Sequence, residues 1–390
     1  MQTSADSATG PTPNVAKNLD TVLHNAIEAE QIVGLVALAS VNGTLVYEKA
    51  LGLSDRKSGK AMTIDTVFRY SSVTKPFTSV AALALVERGV IALDDPVTKF
   101  LPDFRPKLPS GEAPAITIRQ LMTHTSGLSY GFFERADGAY HKTGVSDGMD
   151  APGLSIEENL QRIAAAPLLF PPGAAWNYSM ATDVLGEVMT RASGKPLPKL
   201  IAEFVSGPLG MSDTSFSPPD RSRLATPYAD AQPRPEAMGS QHSVPFGEGA
   251  LSFVPDRNFD PASYPSGGAG MFGTAHDFLK LLEALRSGGE PLLSPASVAL
   301  LATNATGEFQ TLLPGWGFSL GWSILLDPSL TQTPQTKGTW LWGGVYGNSW
   351  FVDPAKGISV VVLTNTSIAG MIGIFPNAVR DAVYAGLNGG

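Results

Sequence analysis

Ser72 and Lys75 stand three residues apart in the quartet Ser72, Val73, Thr74, Lys75, where a polar turn gives way to a long apolar pattern. Residues three apart on a helix share a face, so a serine hydroxyl and a lysine amine can meet across one turn. Downstream, Val80, Leu83, Leu85, Val86 and Val90 arrive near helical period. Pro76 falls in the first turn, where its missing N–H costs little. Ser72 is therefore predicted at a helix N-terminus, where the positive end of the dipole disfavours a charged ammonium. A neutral lysine can accept the serine proton, which makes Ser72 a candidate nucleophile with Lys75 as its base. The spacing also occurs by chance: Ser54, Asp55, Arg56, Lys57 repeats it in a Gly- and Lys-rich connection that reads as a solvated turn.

Two further pieces can complete such a site. Tyr178 follows the turn Pro171, Pro172, Gly173 and precedes Ser179, which can cap the helix carrying Val184, Leu185 and Val188. A phenol at that helix start either packs into the core or shares the proton inventory of the lysine as base or acid. Trp342, Gly343, Gly344, Val345 places paired glycines on a strand, which marks a bulge or a close approach by a ligand or another backbone. Acyl transfer needs two N–H donors for its oxyanion; those of Ser72 and Val345 are the candidates.

Other motifs compete with this reading. Gly127 to Gly131 and Gly144 to Gly148 both match G-x-S-x-G, with Ser129 and Ser146 at the centre. A nucleophile elbow needs a strand before the serine and a helix after it, and neither context is suggested by the flanking residues. The histidines His24, His124, His141, His242 and His276 show no metal-ligand spacing. A Ser-His-Asp triad built on His124 or His276 is the rival constellation, although lysine and tyrosine already supply its acid and base roles.

The elements expected to position these residues come from both ends of the chain. Val15 to Ile27 carries helical spacing, and Leu35 to Ala50 reads as two strands around the hairpin signal Asn42, Gly43. Phe318 to Leu326, Thr339 to Leu341, Ser349 to Val352 and Ile358 to Leu363 are strand-like, with a closing helix from Asn377 to Leu387. No βαβ rhythm joins them, so the fold class is α+β: one antiparallel sheet built from the N- and C-terminal segments, flanked by helices. The expected organisation is a mobile tail over 1–13, an α/β domain from 14–66 and 285–390, and an inserted helical and loop-rich domain over 67–284. Helical segments fall at Ile116–Met122, Ile156–Ala165 and Thr182–Thr190, and the Pro- and Gly-dense stretch 207–270 suits a binding wall. The active site then lies between the two domains.

Composition narrows the function classes. A chain of 390 residues, 43% hydrophobic and 16% charged, can bury a core larger than one small domain. Without cysteine it has no disulfide, thiolate metal site or cysteine nucleophile. A net charge of −8 argues against a nucleic-acid partner. The first residues lack the pattern of a secretory signal, and no apolar run reaches bilayer length, so a cytoplasmic protein without a membrane partner is expected. No metal or cofactor is required by the predicted chemistry.

The order S-x-x-K, then Tyr178 in Y-S-M, then W-G-G resembles the serine β-lactamase and penicillin-binding protein superfamily, and more narrowly the family VIII carboxylesterases with a class C β-lactamase fold. Leu121 to Leu128, Pro208 to Met211, Ser266 to Met271 and Trp342 to Asp353 support the likeness, which spans all but the first dozen or so residues. The resemblance implies Ser72 as nucleophile, Lys75 and Tyr178 as the base and acid pair, and Trp342 to Val345 as the segment bordering the oxyanion hole. Two departures matter. Met180 stands where β-lactamases usually carry an asparagine that grips the antibiotic, and Trp342 stands where they carry a cation for a carboxylate. An uncharged, aromatic-rimmed pocket suits neutral esters. The expected substrate is a small ester of short to medium chain, entering beside Trp342 and the loop of Tyr130, Phe132 and Phe133, with β-lactamase or peptidase action, acyl transfer or non-catalytic acyl binding as alternatives.

Overall fold

A computed structural model of the chain describes residues 12–218 and 220–387. Most of the predicted tail lies outside the described residues, and its last two positions open α1 (Thr12–Glu28). The hairpin β1 (Gly34–Val41) and β2 (Thr44–Asp55) follows, with β3 (Lys60–Ala61) at its edge. Asn42 and Gly43 both take positive φ, 52° and 81°, as the tight turn between right-twisted strands demands. β4 (Phe68–Arg69) leads to α2 (Thr74–Glu87), then α3 (Ile118–Met122), α4 (Ala139–Thr143), α5 (Ile156–Ala165), α6 (Ala181–Ser193) and α7 (Leu197–Ile201). Two small hairpins, β5 (Tyr228–Ala229) with β6 (Glu236–Ala237) and β7 (His242–Phe246) with β8 (Gly249–Phe253), interrupt the Pro- and Gly-dense stretch. β9 (Phe272–Gly273) returns to pair with β4.

After α8 (Ala275–Arg286) and α9 (Pro295–Leu301) come β10 (Trp316–Phe318), β11 (Ser323–Leu325), β12 (Trp340–Gly344), β13 (Asn348–Asp353) and β14 (Ile358–Thr364), then α10 (Ser367–Met371) and α11 (Ile374–Leu387). The main sheet is antiparallel in the order β10-β11-β12-β13-β14-β1-β2-β3, so the N-terminal hairpin docks on the last strand of the C-terminal run. One predicted strand divides: Phe318–Leu326 is a hairpin of β10 and β11, because the Ser319 hydroxyl accepts from the N–H groups of Gly321 and Trp322 (3.3 Å each) and turns the chain.

Side chains alternate across this sheet and serve two cores. On the outer face Leu35, Ala37, Val360 and Val362 meet α1 and α11. On the inner face Val36, Leu38, Trp350 and Val361 join one continuous core with α2, α6 and α8. α8 runs across the expected domain boundary at 284/285 and packs on β1 and β14. No helix among the described residues is long and apolar enough to cross a membrane.

Candidate active site

Ser72 lies in a single 3₁₀ turn, Ser71–Val73, that feeds directly into α2, whose N-cap is Val73. The turn is held from two directions. The Tyr70 N–H donates to the Met271 carbonyl (2.9 Å), and the Met271 N–H donates to Thr74 Oγ1 (3.1 Å). Ser71 takes φ 44°, the left-handed region that costs a residue with a Cβ about 1 kcal/mol. Its hydroxyl donates to the Tyr70 carbonyl (2.7 Å) and accepts from the Tyr346 N–H (3.4 Å). This backbone shape turns the next side chain, Ser72, toward the start of α6.

The three expected side chains come together there. Ser72 Oγ lies 2.6 Å from the Tyr178 hydroxyl, and Lys75 Nζ donates to Ser72 Oγ at 3.1 Å. Lys75 is 1% exposed. Its Nζ also donates to the Gly268 carbonyl (2.9 Å) and sits 4.7 Å from the Tyr178 ring centroid. Ser179 stands one residue before the Met180 N-cap of α6, and its hydroxyl accepts only distantly from the Ala181 N–H (3.4 Å). Tyr178 is thereby placed just outside the helix.

Sequence reasoning missed two groups in this centre, Gly268 and Asp183, and did not foresee that Tyr130 meets them. A Cβ on Gly268 would lie 2.7 Å from Asp183 Oδ2 and 3.3 Å from both Lys75 Nζ and the Tyr130 hydroxyl, so these groups converge on a position that only glycine fits. Burial raises the Asp183 carboxyl above its ordinary range, with Ser266 and the Lys75 charge opposing the shift. Burial also raises the Tyr130 phenol, and the nearby Tyr178, Asp183 and Asp147 add to it. The phrase Ser266 to Met271 carried the only signal for Gly268, and Asp183 lies in the first turn of α6, just after Tyr178, with no pattern of its own.

The paired glycines of β12 approach the serine turn. A Cβ on Gly344 would run into the Tyr70 carbonyl oxygen and come within 2.6 Å of Ser71 Oγ. Asn348 Nδ2 reinforces the contact by donating to the carbonyls of Arg69 (2.8 Å) and Tyr70 (3.2 Å). Val345, the next residue, has its carbonyl pinned by the Ser367 hydroxyl at 2.7 Å.

A cavity of about 490 Å³ opens on this centre and is lined by Ser72, Tyr178, Phe132, Phe133, Trp342 and Val345 among others. Gly343 also lines it, whereas Tyr130 and Gly344 stand behind the wall. Trp342 meets Tyr178 edge-on with centroids 5.1 Å apart, and Phe132 stacks on Tyr130 at 4.5 Å. The aromatic loop hangs on Asp147, whose carboxyl oxygens accept from the N–H groups of Gly131 (2.8 Å) and Phe132 (3.0 Å). Burial and the neighbouring Asp150 push the Asp147 carboxyl up to about 8.

The competing motifs have other work. Ser146 Oγ donates to Asp150 Oδ1 (2.5 Å), and Ser129 is buried with its N–H on the Tyr140 hydroxyl (2.9 Å). Ser54 is no solvated turn residue: it is the penultimate residue of β2, buried, its hydroxyl on the Ala61 carbonyl (3.1 Å). His124 is buried and paired with Ser179 Oγ (3.2 Å), and burial lowers its pKa, so the ring is neutral. His276 pairs with Glu48 (3.3 Å). Among the described residues no three His, Asp or Glu side chains converge as metal ligands.

An antiparallel sheet flanked by helices, with S-x-x-K and a tyrosine at the junction, defines a class, and the sequence comparison agrees: the profile of the beta-lactamase family matches residues 19–377, and the chain belongs to that family. It is 48% identical over 375 residues to esterase EstB of Burkholderia gladioli, covering 95% of this chain and 96% of that protein. It is 29% identical over 371 residues to the lovastatin esterase of Penicillium rubens, covering 86% and 89%. Among solved structures it resembles EstCE1, described as a hydrolase with promiscuous acyltransferase activity, with a TM-score of 0.93 and 43% identity over 96% of this chain and 99% of that one.

Proposed function

We propose that this chain is a serine carboxylesterase of the family VIII type, acting on small carboxylic esters in the cytoplasm through an acyl-Ser72 intermediate. The observation that carries the reading is the placement of Ser72 Oγ, 2.6 Å from the Tyr178 hydroxyl and 3.1 Å from Lys75 Nζ, on the wall of an apolar cavity. The esterases among its relatives support the same class.

Ser72 Oγ attacks the ester carbonyl carbon as the Lys75–Tyr178 pair takes its proton. The oxyanion forms against the N–H groups of Ser72 and Val345, where charge develops only in the transition state. Collapse breaks the bond to the alcohol oxygen, which leaves with the proton from the pair. Water then gives its proton to the pair and attacks the acyl carbon, and the second collapse returns the proton to Ser72 and frees the acid. Trp342, Gly343 and Phe132 form the substrate wall, while Tyr130 and Gly344 hold it in place. Met180 is fully buried and turned into the core, and Trp342 offers no cation, so the amide and carboxylate grips of a β-lactamase are missing at both positions. That favours neutral esters over lactams.

Acyl transfer to an alcohol is the second reading, because the same acyl-enzyme can be intercepted before water attacks. EstCE1 carries such an activity in its description. The test is intact mass after brief fluorophosphonate treatment of wild type, Ser72→Ala and Ser129→Ala, beside turnover of p-nitrophenyl acetate and nitrocefin. Adduct lost only in Ser72→Ala, with acetate turned over far faster than nitrocefin and Ser72→Ala slowed by roughly 10⁴-fold or more, is expected. Adduct that persists in Ser72→Ala refutes the assignment, and the partition of product with added butanol separates transfer from hydrolysis.

A further inference from the structure

The cavity at Ser72 does not end at the reaction centre. Among the described residues β11 pairs with β12 only through Trp340 and Leu341, so the edge of β12 from Trp342 to Gly344 has no strand beside it. Directly paired residues of neighbouring strands point to the same face. Ser323 pairs with Leu341, Leu341 with Phe351 and Phe351 with Val360, while Gly343 pairs with Ser349. All six of these residues line the cavity that Ser72 and Tyr178 also line, and they belong to the outer face, opposite Trp350 and Val361. α11 closes the far side through Pro376 and Val379. The space therefore wraps the uncovered edge of β12 at Gly343, alongside the Met371 side chain that packs against that glycine, and continues as a lobe between the sheet and α11.

The size of this space decides what it is for. A volume of about 490 Å³ falls in the range of sites that enclose drug-sized ligands, roughly 300–1,000 Å³, and an acetyl group uses little of it. Its lining is mostly aliphatic and aromatic. Away from Ser72 and Tyr178 its polar members are Ser323, Gln335, Ser349, Asn377 and Arg380; of these Gln335 is 3% exposed and its Nε2 has no protein partner, so it offers a buried polar contact. Leu312, Leu313 and Ile372, which also line the cavity, are 52%, 53% and 51% exposed, an apolar mouth left in water.

We infer that the outer-face lobe receives a long hydrocarbon arm of the substrate, so that the preferred esters carry an extended apolar acyl or alcohol chain while the ester carbonyl stays at Ser72. The inference rests on the esterase reading and extends its expected chain-length range upward from short and medium chains. Each methylene moved from water into the lobe is expected to raise kcat/KM by roughly two- to four-fold until the lobe is full. Two substrate series distinguish the arms: p-nitrophenyl esters from acetate to laurate lengthen the acyl side, and butyrate esters from methyl to dodecyl lengthen the alcohol side. Wild type is compared with Ser349→Phe on β13 and Val379→Phe on α11, which fill the lobe from opposite walls. In one series kcat/KM is expected to climb to the ten-carbon chain, and the ratio of long- to short-ester kcat/KM is expected to fall at least ten-fold in both variants. That ratio is internal to each protein, so partial misfolding cancels from it. Turnover that declines beyond four carbons in both series, or an unchanged ratio in both variants, overturns the lobe and leaves the esterase standing. Failure to turn over any ester, including acetate, overturns the esterase reading and the lobe with it.

Discussion

Hydroxyl, amine and phenol meet at Ser72, and each was legible to a different degree. Ser72 and Lys75 were readable because one helical turn joins them, so local geometry sets their contact. Tyr178 needed motif order, since it reaches Ser72 across a separation of 106 residues. The Gly268 carbonyl, 193 residues from Lys75, and the Asp183 carboxyl had no local period to betray them. Replacing Tyr178 by phenylalanine keeps the ring on Trp342 and removes only the hydroxyl, so kcat should fall by roughly 10²–10⁴-fold with little change in melting temperature. A change under three-fold would take Tyr178 out of the proton path.

The elements that carry the site explain what the pattern could not show. The hairpin at Asn42 and Gly43 was legible because its turn chemistry is local, and the antiparallel sheet followed from strand-like segments at both ends of the chain with no βαβ rhythm between them. The loop 144–150 read only as a failed nucleophile elbow, yet its Asp147 staples the aromatic wall through two backbone N–H groups. Asp147 and Asp150 crowd one buried region, and the folded-state pKa of Asp147 stands near 8 against an ordinary 3.8. A carboxyl raised in the fold binds a proton that the unfolded chain has lost, so its contribution to stability is full below about pH 4 and is lost as pH rises through about 8. Thermal melting of wild type between pH 5 and 9 should therefore decline more steeply than that of Asp147→Asn. Parallel curves would show that Asp147 is ionised throughout.

At the scale of the molecule, one core runs from the sheet into the helices, joining Val36 and Trp350 to Val184 and Phe278. Neither part can open without exposing it, and the site lies between them. Loss of activity and loss of near-ultraviolet ellipticity should thus coincide on heating; an activity midpoint several degrees lower would mean the parts open separately. The exposed leucines at the cavity mouth have a practical consequence for anyone handling the protein. Alkyl surfactants, added to disperse greasy substrates, are themselves apolar chains of the kind the lobe is inferred to receive. Below the concentration at which micelles form, a dodecyl detergent should act as a competitive inhibitor, raising KM for long esters while leaving kcat intact. The same reagent that makes those substrates dispersible would conceal the preference for them.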